Sequence, residues 1–217
     1  MLTIHAAELL VTGDRRPPVP RGAVLVRGGT VARVGPYEEV VAAGPGARVR
    51  CWPGIITPGL VNPHGPELLE STYHPDPREA DELGTAPLAG ERLAALGTTE
   101  ARWSASARRG VQRMLAHGTV AVAGALRRPG ALDAVDRVGL VTVPVTGERL
   151  APAAGPPSLD PLAGRAPAEA YGPSFAVDGA DATFAVFDVP DEAALAERGA
   201  ATCVATVLRG RLLFRRR

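Results

Sequence analysis

Short apolar runs separated by glycine and proline make up the first 59 residues of the chain. Runs of this length, bounded by turn-forming residues, predict β-strands. The predicted strands are Ile4–Val11, Ala23–Val26, Val31–Val34 and Val49–Trp52. Gly28-Gly29 lies between two of them and predicts a tight hairpin, because glycine tolerates the positive φ that such a turn requires. Tyr37–Ala43 predicts a single short helix.

The pattern changes after Leu60. Leu68–Gly97 is rich in proline, glycine and acidic residues, which favours an irregular loop or short helices. The next segment, Glu100–His117, repeats apolar residues at helical spacing and ends before Gly118. The predicted elements after it are strand Thr119–Ala123, helix Pro129–Val138 and strand Leu140–Val145. Alternation of strands and helices is typical of a parallel βα layer.

Short strands return in the last part of the chain. Residues 151–173 are rich in proline, glycine and alanine without periodicity, so we interpret them as a linker. The predicted elements beyond it are strand Thr183–Phe187, helix Asp191–Arg198, strand Cys203–Leu208 and strand Arg211–Phe214. A mixed α/β protein with strand-rich ends and a βα centre is therefore predicted.

Composition excludes several kinds of chemistry. The chain has 217 residues, 46% hydrophobic and 22% charged, which suits a globular protein with a core. Its formal net charge of +1 gives no reason to expect nucleic acid or a membrane surface as a partner. Every basic residue is arginine, so lysine Schiff-base chemistry, a P-loop and a carbamylated-lysine metal bridge are excluded. Two cysteines, Cys51 and Cys203, predict buried thiols in a cytoplasmic protein rather than a disulfide framework.

The segment Asn62-Pro63-His64-Gly65-Pro66-Glu67 carries the chain's most specific chemical signal. It follows the apolar run Ile55–Val61, which predicts a turn that leads into a buried strand. His-x-His at the end of a strand can place two imidazoles on one divalent metal, because alternate side chains point the same way. Here His64 fills the first position, and Pro66 fills the second without a ligand atom.

Both ends of the chain and its middle resemble the amidohydrolase superfamily, in particular imidazolonepropionase-like enzymes and related cyclic amidine and purine deaminases. The matching segments are residues 24–35, 53–64, 111–124, 179–188, 204–208 and 210–214. The resemblance implies a small composite β-sandwich formed by residues 1–59 and 174–217. It also implies that residues 60–150 form a partial, open βα layer derived from a TIM barrel, joined to the sandwich by linker 151–173.

The same resemblance implies a hydrolase that acts on non-peptide carbon–nitrogen bonds through a metal-activated water. A complete TIM barrel needs about 250 residues, more than the whole chain, so the resemblance implies a strongly truncated member. Of the family's first two histidine ligands only His64 maps, and the strands that carry the later ligands are missing. A degenerate or lost metal site is therefore expected.

A rebuilt metal site would use residues close to the motif. His64 and His74 are the candidate metal ligands, and Glu67 and Glu70 are the candidate catalytic residues, as a further ligand or as proton shuttles. Zinc or iron would suit these side chains, although the expectation is that no metal is bound. The alternative is that His64 is a structural histidine, hydrogen-bonded to backbone, with the acidic residues solvated.

Three hypotheses on function remain open. The first is a metal-dependent C–N hydrolase or deaminase, and the second is a noncatalytic protein that binds a partner or a small molecule. The third is one subunit of a hetero-oligomeric enzyme, with another chain supplying the missing ligands. A homodimer or other small oligomer is expected, because a partial βα layer leaves apolar edges that need a cover.

Overall fold

Two facing sheets dominate the part of the chain that the computed structural model describes, residues 2–145 and 156–216. The strands of the first sheet are β1 (Leu2–Ala6), β4 (Gly22–Arg27), β5 (Thr30–Pro36) and β6 (Arg48–Cys51). Those of the second are β2 (Leu9–Leu10), β3 (Val19–Pro20), β7 (Ile55–Pro58), β11 (Phe184–Phe187), β12 (Cys203–Leu208) and β13 (Arg211–Arg215). The orders are β5-β4-β1-β6 and β13-β12-β11-β7-β2-β3, so both ends of the chain contribute to the second sheet.

A shared apolar core holds these two sheets together. Val24 and Val26 of β4 pack in one cluster with Ile56 of β7 and with Phe184 and Val186 of β11. In β4 and in β11 the two clustered residues are two positions apart in sequence, so their side chains lie on the same face of their sheet. The strands predicted at Ala23–Val26, Val31–Val34 and Val49–Trp52 are thus confirmed, and so is the hairpin at Gly28. The single strand predicted at Ile4–Val11 is wrong, because the chain passes from the first sheet to the second between β1 and β2. A further hairpin joins β12 to β13 at Gly210.

The chain moves from one sheet to another at Gly59. The single buried strand that we predicted after a turn is in fact two strands, β7 and β8 (Leu60–Asn62), and they belong to different sheets. A Cβ at Gly59 would lie 2.3 Å from the Cγ1 atom of Val120. Glycine is therefore required here for close approach of the two chain segments.

A parallel three-stranded sheet forms the centre of the chain. Its order is β10-β9-β8, with β9 at Thr119–Ala123 and β10 at Val141–Val143. Helices α5 (Glu100–Leu115) and α6 (Pro129–Val138) connect these strands and pack on one face of the sheet through a cluster that includes Val122. The βαβαβ pattern predicted from periodicity is confirmed.

Short helices occupy the regions without strong periodicity. They are α1 (Tyr37–Ala43), α2 (Gly65–Glu70), α3 (Ala80–Leu83), α4 (Gly90–Ala94), α7 (Pro167–Ala170) and α8 (Glu192–Arg198), with 3₁₀ turns at Pro77–Glu79 and Ala200–Thr202. The described part of the predicted linker, residues 156–173, packs into the protein. Its residues Leu162, Ala170 and Tyr171 belong to a buried cluster with Phe187.

None of the helices in the described part of the chain combines the length and the apolar character that crossing a bilayer requires. The predicted division of the chain into a sandwich, a βα layer and a linker stays a prediction, as does the cytoplasmic location.

Candidate functional site

His64 lies just beyond the carboxyl end of β8, at the start of α2. The turn between strand and helix is held by Asn62, whose side-chain Oδ1 accepts a hydrogen bond of 2.9 Å from the His64 backbone N–H. Pro66 stands in the first turn of α2, where a missing N–H costs no helical hydrogen bond. The structure therefore places His64 and Pro66 at the start of a helix, not along an extended strand as the His-x-His pattern predicted.

Asn62 also joins this turn to a distant segment of the chain. Its buried side-chain Nδ2 donates to the carbonyl oxygens of Ser158, at 3.0 Å, and Leu159, at 3.3 Å. Asn62 begins the sequence motif but is not among the predicted site residues. An asparagine two positions before the motif histidine was a usable signal, because asparagine side chains commonly bond the backbone two residues on.

The imidazole of His64 is buried, with 6% of the residue exposed. Burial lowers its pKa, the nearby Glu67 carboxylate raises it, and Arg165 lowers it further. The net direction is downward, so the imidazole is neutral at neutral pH. A neutral imidazole can accept a proton or a ligand's hydrogen bond.

Glu67 stands three residues after His64 in the first turn of α2. Its Oε2 atom is buried and has no hydrogen-bond partner among the described residues. The Glu67 carboxylate raises the pKa of His64, against the larger opposite effect of burial. His64 and Glu67 are thus the candidate residues that share the first turn of α2.

Glu70, the second predicted catalytic residue, contacts the start of another helix. Its Oε1 accepts hydrogen bonds from the backbone N–H groups of Arg127, at 2.5 Å, and Arg128, at 2.6 Å. Arg128 is the N-cap residue of α6, whose first turn otherwise leaves backbone N–H groups unpaired. Glu70 therefore stabilises the N-terminus of α6, where a negative charge also interacts favourably with the helix dipole.

His74, the second predicted metal ligand, is completely buried, and its Nδ1 has no hydrogen-bond partner among the described residues. Its Nε2 lies 2.9 Å from the carbonyl oxygen of Leu68, which accepts the Nε2–H hydrogen bond. Burial, with smaller effects of Arg113 and Arg109, lowers the pKa of His74 to about 4, even though the bond to Leu68 acts in the opposite direction. The Nε2 hydrogen bond ties His74 to the backbone of α2.

The remaining two histidines are hydrogen-bonded away from the end of β8. His5 accepts a hydrogen bond of 3.1 Å from Trp52 Nε1–H between the facing sheets. His117 Nδ1 lies 2.8 Å from the carbonyl oxygen of Arg113, at the end of α5. His64 is the histidine that shares the first turn of α2 with Glu67.

These residues do not fit a zinc or iron centre of the His-x-His kind. Catalytic zinc sites normally use three protein ligands with nitrogen, sulfur or oxygen donors. Among residues 2–145 and 156–216, no three histidine, cysteine, aspartate or glutamate side chains come together as a possible metal site. The predicted roles of His64, His74, Glu67 and Glu70 in metal binding and catalysis stay predictions.

No family model matches the chain, and no curated protein sequence matches it significantly. Its structure is similar to Aspergillus niger ochratoxinase (18% identity, TM-score 0.44, 66% of this chain and 31% of that one). It is also similar to a Xanthomonas campestris adenosine deaminase with bound zinc (17%, 0.48, 65% and 33%) and to Escherichia coli guanine deaminase (18%, 0.44, 66% and 36%).

The solved structures found in this way are amidohydrolase-superfamily deaminases and hydrolases, the superfamily that the sequence motifs resemble. The chain spans about a third of the length of these three proteins. None of the three TM-scores reaches 0.5.

Proposed function

We propose that this chain is an imidazolonepropionase-like protein of the amidohydrolase superfamily whose metal site is degenerate. In this proposal it does not hydrolyse a non-peptide carbon–nitrogen bond on its own, and the remaining site serves to bind a ligand or a partner. The observation that carries the proposal is the placement of the histidines. His5, His74 and His117 each have a hydrogen bond elsewhere, and only His64 shares the first turn of α2 with a candidate site carboxylate.

The arrangement of sheets supports the same proposal. The two facing sheets draw strands from both ends of the described chain, as a composite β-sandwich would. The layer of β8, β9 and β10 has the parallel order of a barrel segment, with helices on one face. We therefore assign the layer to a partial, open TIM barrel, with His64 at the carboxyl end of its first strand, where barrel enzymes place their active sites.

Loss of the metal would remove the main source of catalysis in such a site. A metal ion generates a nucleophilic hydroxide at neutral pH and polarises the carbon that is attacked. His64 and Glu67 can together hold or move a proton, but a proton shuttle without an activated electrophile contributes only a fraction of the needed rate. The pair is better suited to hydrogen-bond a polar ligand.

Metal analysis tests this proposal directly. Purified protein should contain far less than one zinc or iron ion per chain, and adding either metal should give no ammonia release from purines or cyclic amidines. His64→Ala should not change the measured metal content, because no metal depends on this imidazole. His117→Ala is the matched control, since it removes a histidine at a helix end. One zinc or iron per chain that disappears in His64→Ala, but not in His117→Ala, would refute the degenerate site.

A homodimer through β10 is a second proposal, carried by the exposure of that strand. Among the described residues, β10 pairs only with β9, and Val141 and the nearby Val145 are 41% and 48% exposed. We propose that a second copy pairs along this edge about a two-fold axis, which would satisfy free backbone groups and cover both valines.

Light scattering at micromolar concentration should give the mass of a dimer. Val145→Arg should shift the protein to monomer, because it places like charges next to each other across the axis. Val177→Arg is the control, since Val177 is 63% exposed and lies outside β10. A monomeric wild-type protein, or a dimer that persists in Val145→Arg, would rule out this interface.

A further inference from the structure

Arginine side chains line the gap between the two facing sheets, along the side that carries the outer strands β6 and β13. β6 is the last strand of the first sheet, and β13 is the outer strand of the second. The guanidinium carbon of Arg215, at the end of β13, lies 5.6 Å from the centre of the Trp52 ring, which directly follows β6. The two outer strands are therefore on the same side of the molecule.

Arg50 of β6 faces this gap. In the parallel pair of β1 and β6 it lies beside His5, and side chains at paired positions point to the same face of a sheet. The His5 ring is between the sheets, since it meets the Phe184 ring of β11 edge-on with 5.0 Å between the ring centres. Arg48 stands two positions before Arg50 in the same strand and so lies on the same face.

Arg215 faces the gap from the other sheet. It pairs with Ala205 of β12, which belongs to the apolar cluster between the sheets. Its position over the Trp52 ring is a cation–π contact, which holds the guanidinium next to β6. Three guanidinium groups, those of Arg48, Arg50 and Arg215, thus lie along one gap.

Acidic side chains do not neutralise the positive charge of this cluster. Among residues 2–145 and 156–216, none of the three arginines forms an ion pair with a carboxylate. Burial lowers the pKa of Arg50, and the charges of Arg48 and Arg215 lower it further. The Arg50 Nε atom is also buried and has no hydrogen-bond partner within the same ranges. A buried donor without a protein partner, beside two further positive charges, is an environment that an anion stabilises.

We propose that Arg48, Arg50 and Arg215 bind the phosphate group of a small molecule. A guanidinium presents its N–H groups in a planar fork that matches two oxygens of a phosphate. A phosphate monoester carries a charge of about −1.5 to −2 at pH 7, so it offsets more of the three positive charges than a monocarboxylate does. The Nε–H of Arg50 donates to one phosphate oxygen, and the other two arginines contact the remaining oxygens from β6 and β13.

Titration of the full chain with inorganic phosphate at pH 8, followed by the NMR shifts of backbone amides, tests this site. Ionic strength is held constant, because added salt screens exposed charges. Phosphate should shift the amides of residues 48–52 and 214–216, and it should bind about 10-fold more tightly than acetate, which carries a single charge. Arg50→Gln should weaken phosphate binding about 10-fold, because a charge-assisted hydrogen bond is lost.

Arg48→Gln is a second variant, which leaves the partly buried Arg50 in place. Arg48 is exposed, so the fold should be unaffected, and phosphate affinity should fall about 5-fold. Arg108→Gln is the matched control, since Arg108 is an exposed arginine of α5, outside both facing sheets. Phosphate affinity in this control should stay within about two-fold of wild type.

Inward-pointing charges can also serve only to keep an outer strand from pairing with another molecule. In that case folded wild type would not bind phosphate, or would bind acetate equally well, or would keep its phosphate affinity in both Arg50→Gln and Arg48→Gln. Each of these results would overturn the proposal. A short DNA duplex that binds more tightly than phosphate through the same arginines would also overturn it, because the ligand would then be a nucleic acid.

Discussion

Lowering the pH from 7 to 4.5 should reduce the free energy of unfolding by about 5 kcal/mol, mainly through two buried histidines. Burial lowers the pKa of His5 to about 4, with a smaller contribution from Arg50, and burial lowers that of His74 to about 4 as well. Both have an ordinary pKa of 6.5. Between these values the unfolded chain takes up a proton that the folded chain does not, so folding is favoured above pH 6.5 and loses stability as the pH falls towards 4. Each histidine contributes about 2.5 kcal/mol to the loss at pH 4.5.

Urea unfolding at the two pH values measures this effect, and histidine variants assign it. His74→Gln should reduce the loss in free energy of unfolding between pH 7 and pH 4.5 by about half. His5→Gln combined with His74→Gln should remove most of that loss, whatever each change does to stability at pH 7. The carboxylate of Glu79 contributes little in this window. Its pKa is lowered to about 2, first by the Asp76 backbone N–H and then by Tyr73 and Arg102, so its stabilising effect is lost mainly below pH 4.5. A pH difference that persists unchanged in the double variant would contradict the assignment.

Phe187→Ala should lower the free energy of unfolding by about 3–5 kcal/mol, the range for removal of a buried aromatic side chain. Phe187 is completely buried at the end of β11, in a cluster with Leu60, Tyr171 and Cys203. A Cβ at Gly118 would lie 2.7 Å from its Cζ atom, so the ring also packs directly on the turn that precedes β9. The same side chain thereby connects the facing sheets to the parallel layer, and its loss leaves a cavity at that junction.

Phe214→Ala is the matched control, because Phe214 is only partly buried on β13. Equilibrium unfolding in urea should show a substantially smaller loss for this variant. Phe187→Ala should also make the parallel layer unfold before the sheets, visible as faster amide hydrogen exchange in β9 than in β12. Equal losses in the two variants would show that Phe187 has no special role at the junction.

Local elements were predictable because each depends on residues close together in the chain. The periodicity of 100–117 gives α5, and Gly210 after Arg209 gives the β12–β13 hairpin, in which both turn residues have positive φ. The alternation of strands and helices predicted the parallel layer. When one helix connects two consecutive strands, the strands usually lie side by side and run in the same direction. The same reasoning placed His64 near the end of a strand.

The site itself was less predictable, because its contacts join residues far apart in the chain. Glu70 contacts the backbone of Arg127 and Arg128, 57 and 58 positions later, and this contact explains a carboxylate that the sequence offered as catalytic. His74 is close to His64 in sequence, yet the packing of α5 buries it and directs its Nε2–H to Leu68. Type and spacing of side chains alone could not distinguish these roles, since both residue types also suit a metal site.

The sequence by itself determined most of the longer strands and helices, the motif that ends at Glu67 and the missing second histidine at Pro66. These features depend on apolar periodicity, turn residues and side-chain chemistry, all of which can be read over a few neighbouring positions. Only the tertiary structure decided that the chain changes sheets at Gly59 and that three of the four histidines bond elsewhere. It also decided that Arg50 and Arg215 face the same gap between the two sheets. The physical reason is that sheet pairing and burial bring distant segments together, and the hydrogen bonds and desolvation that result set the role of each side chain.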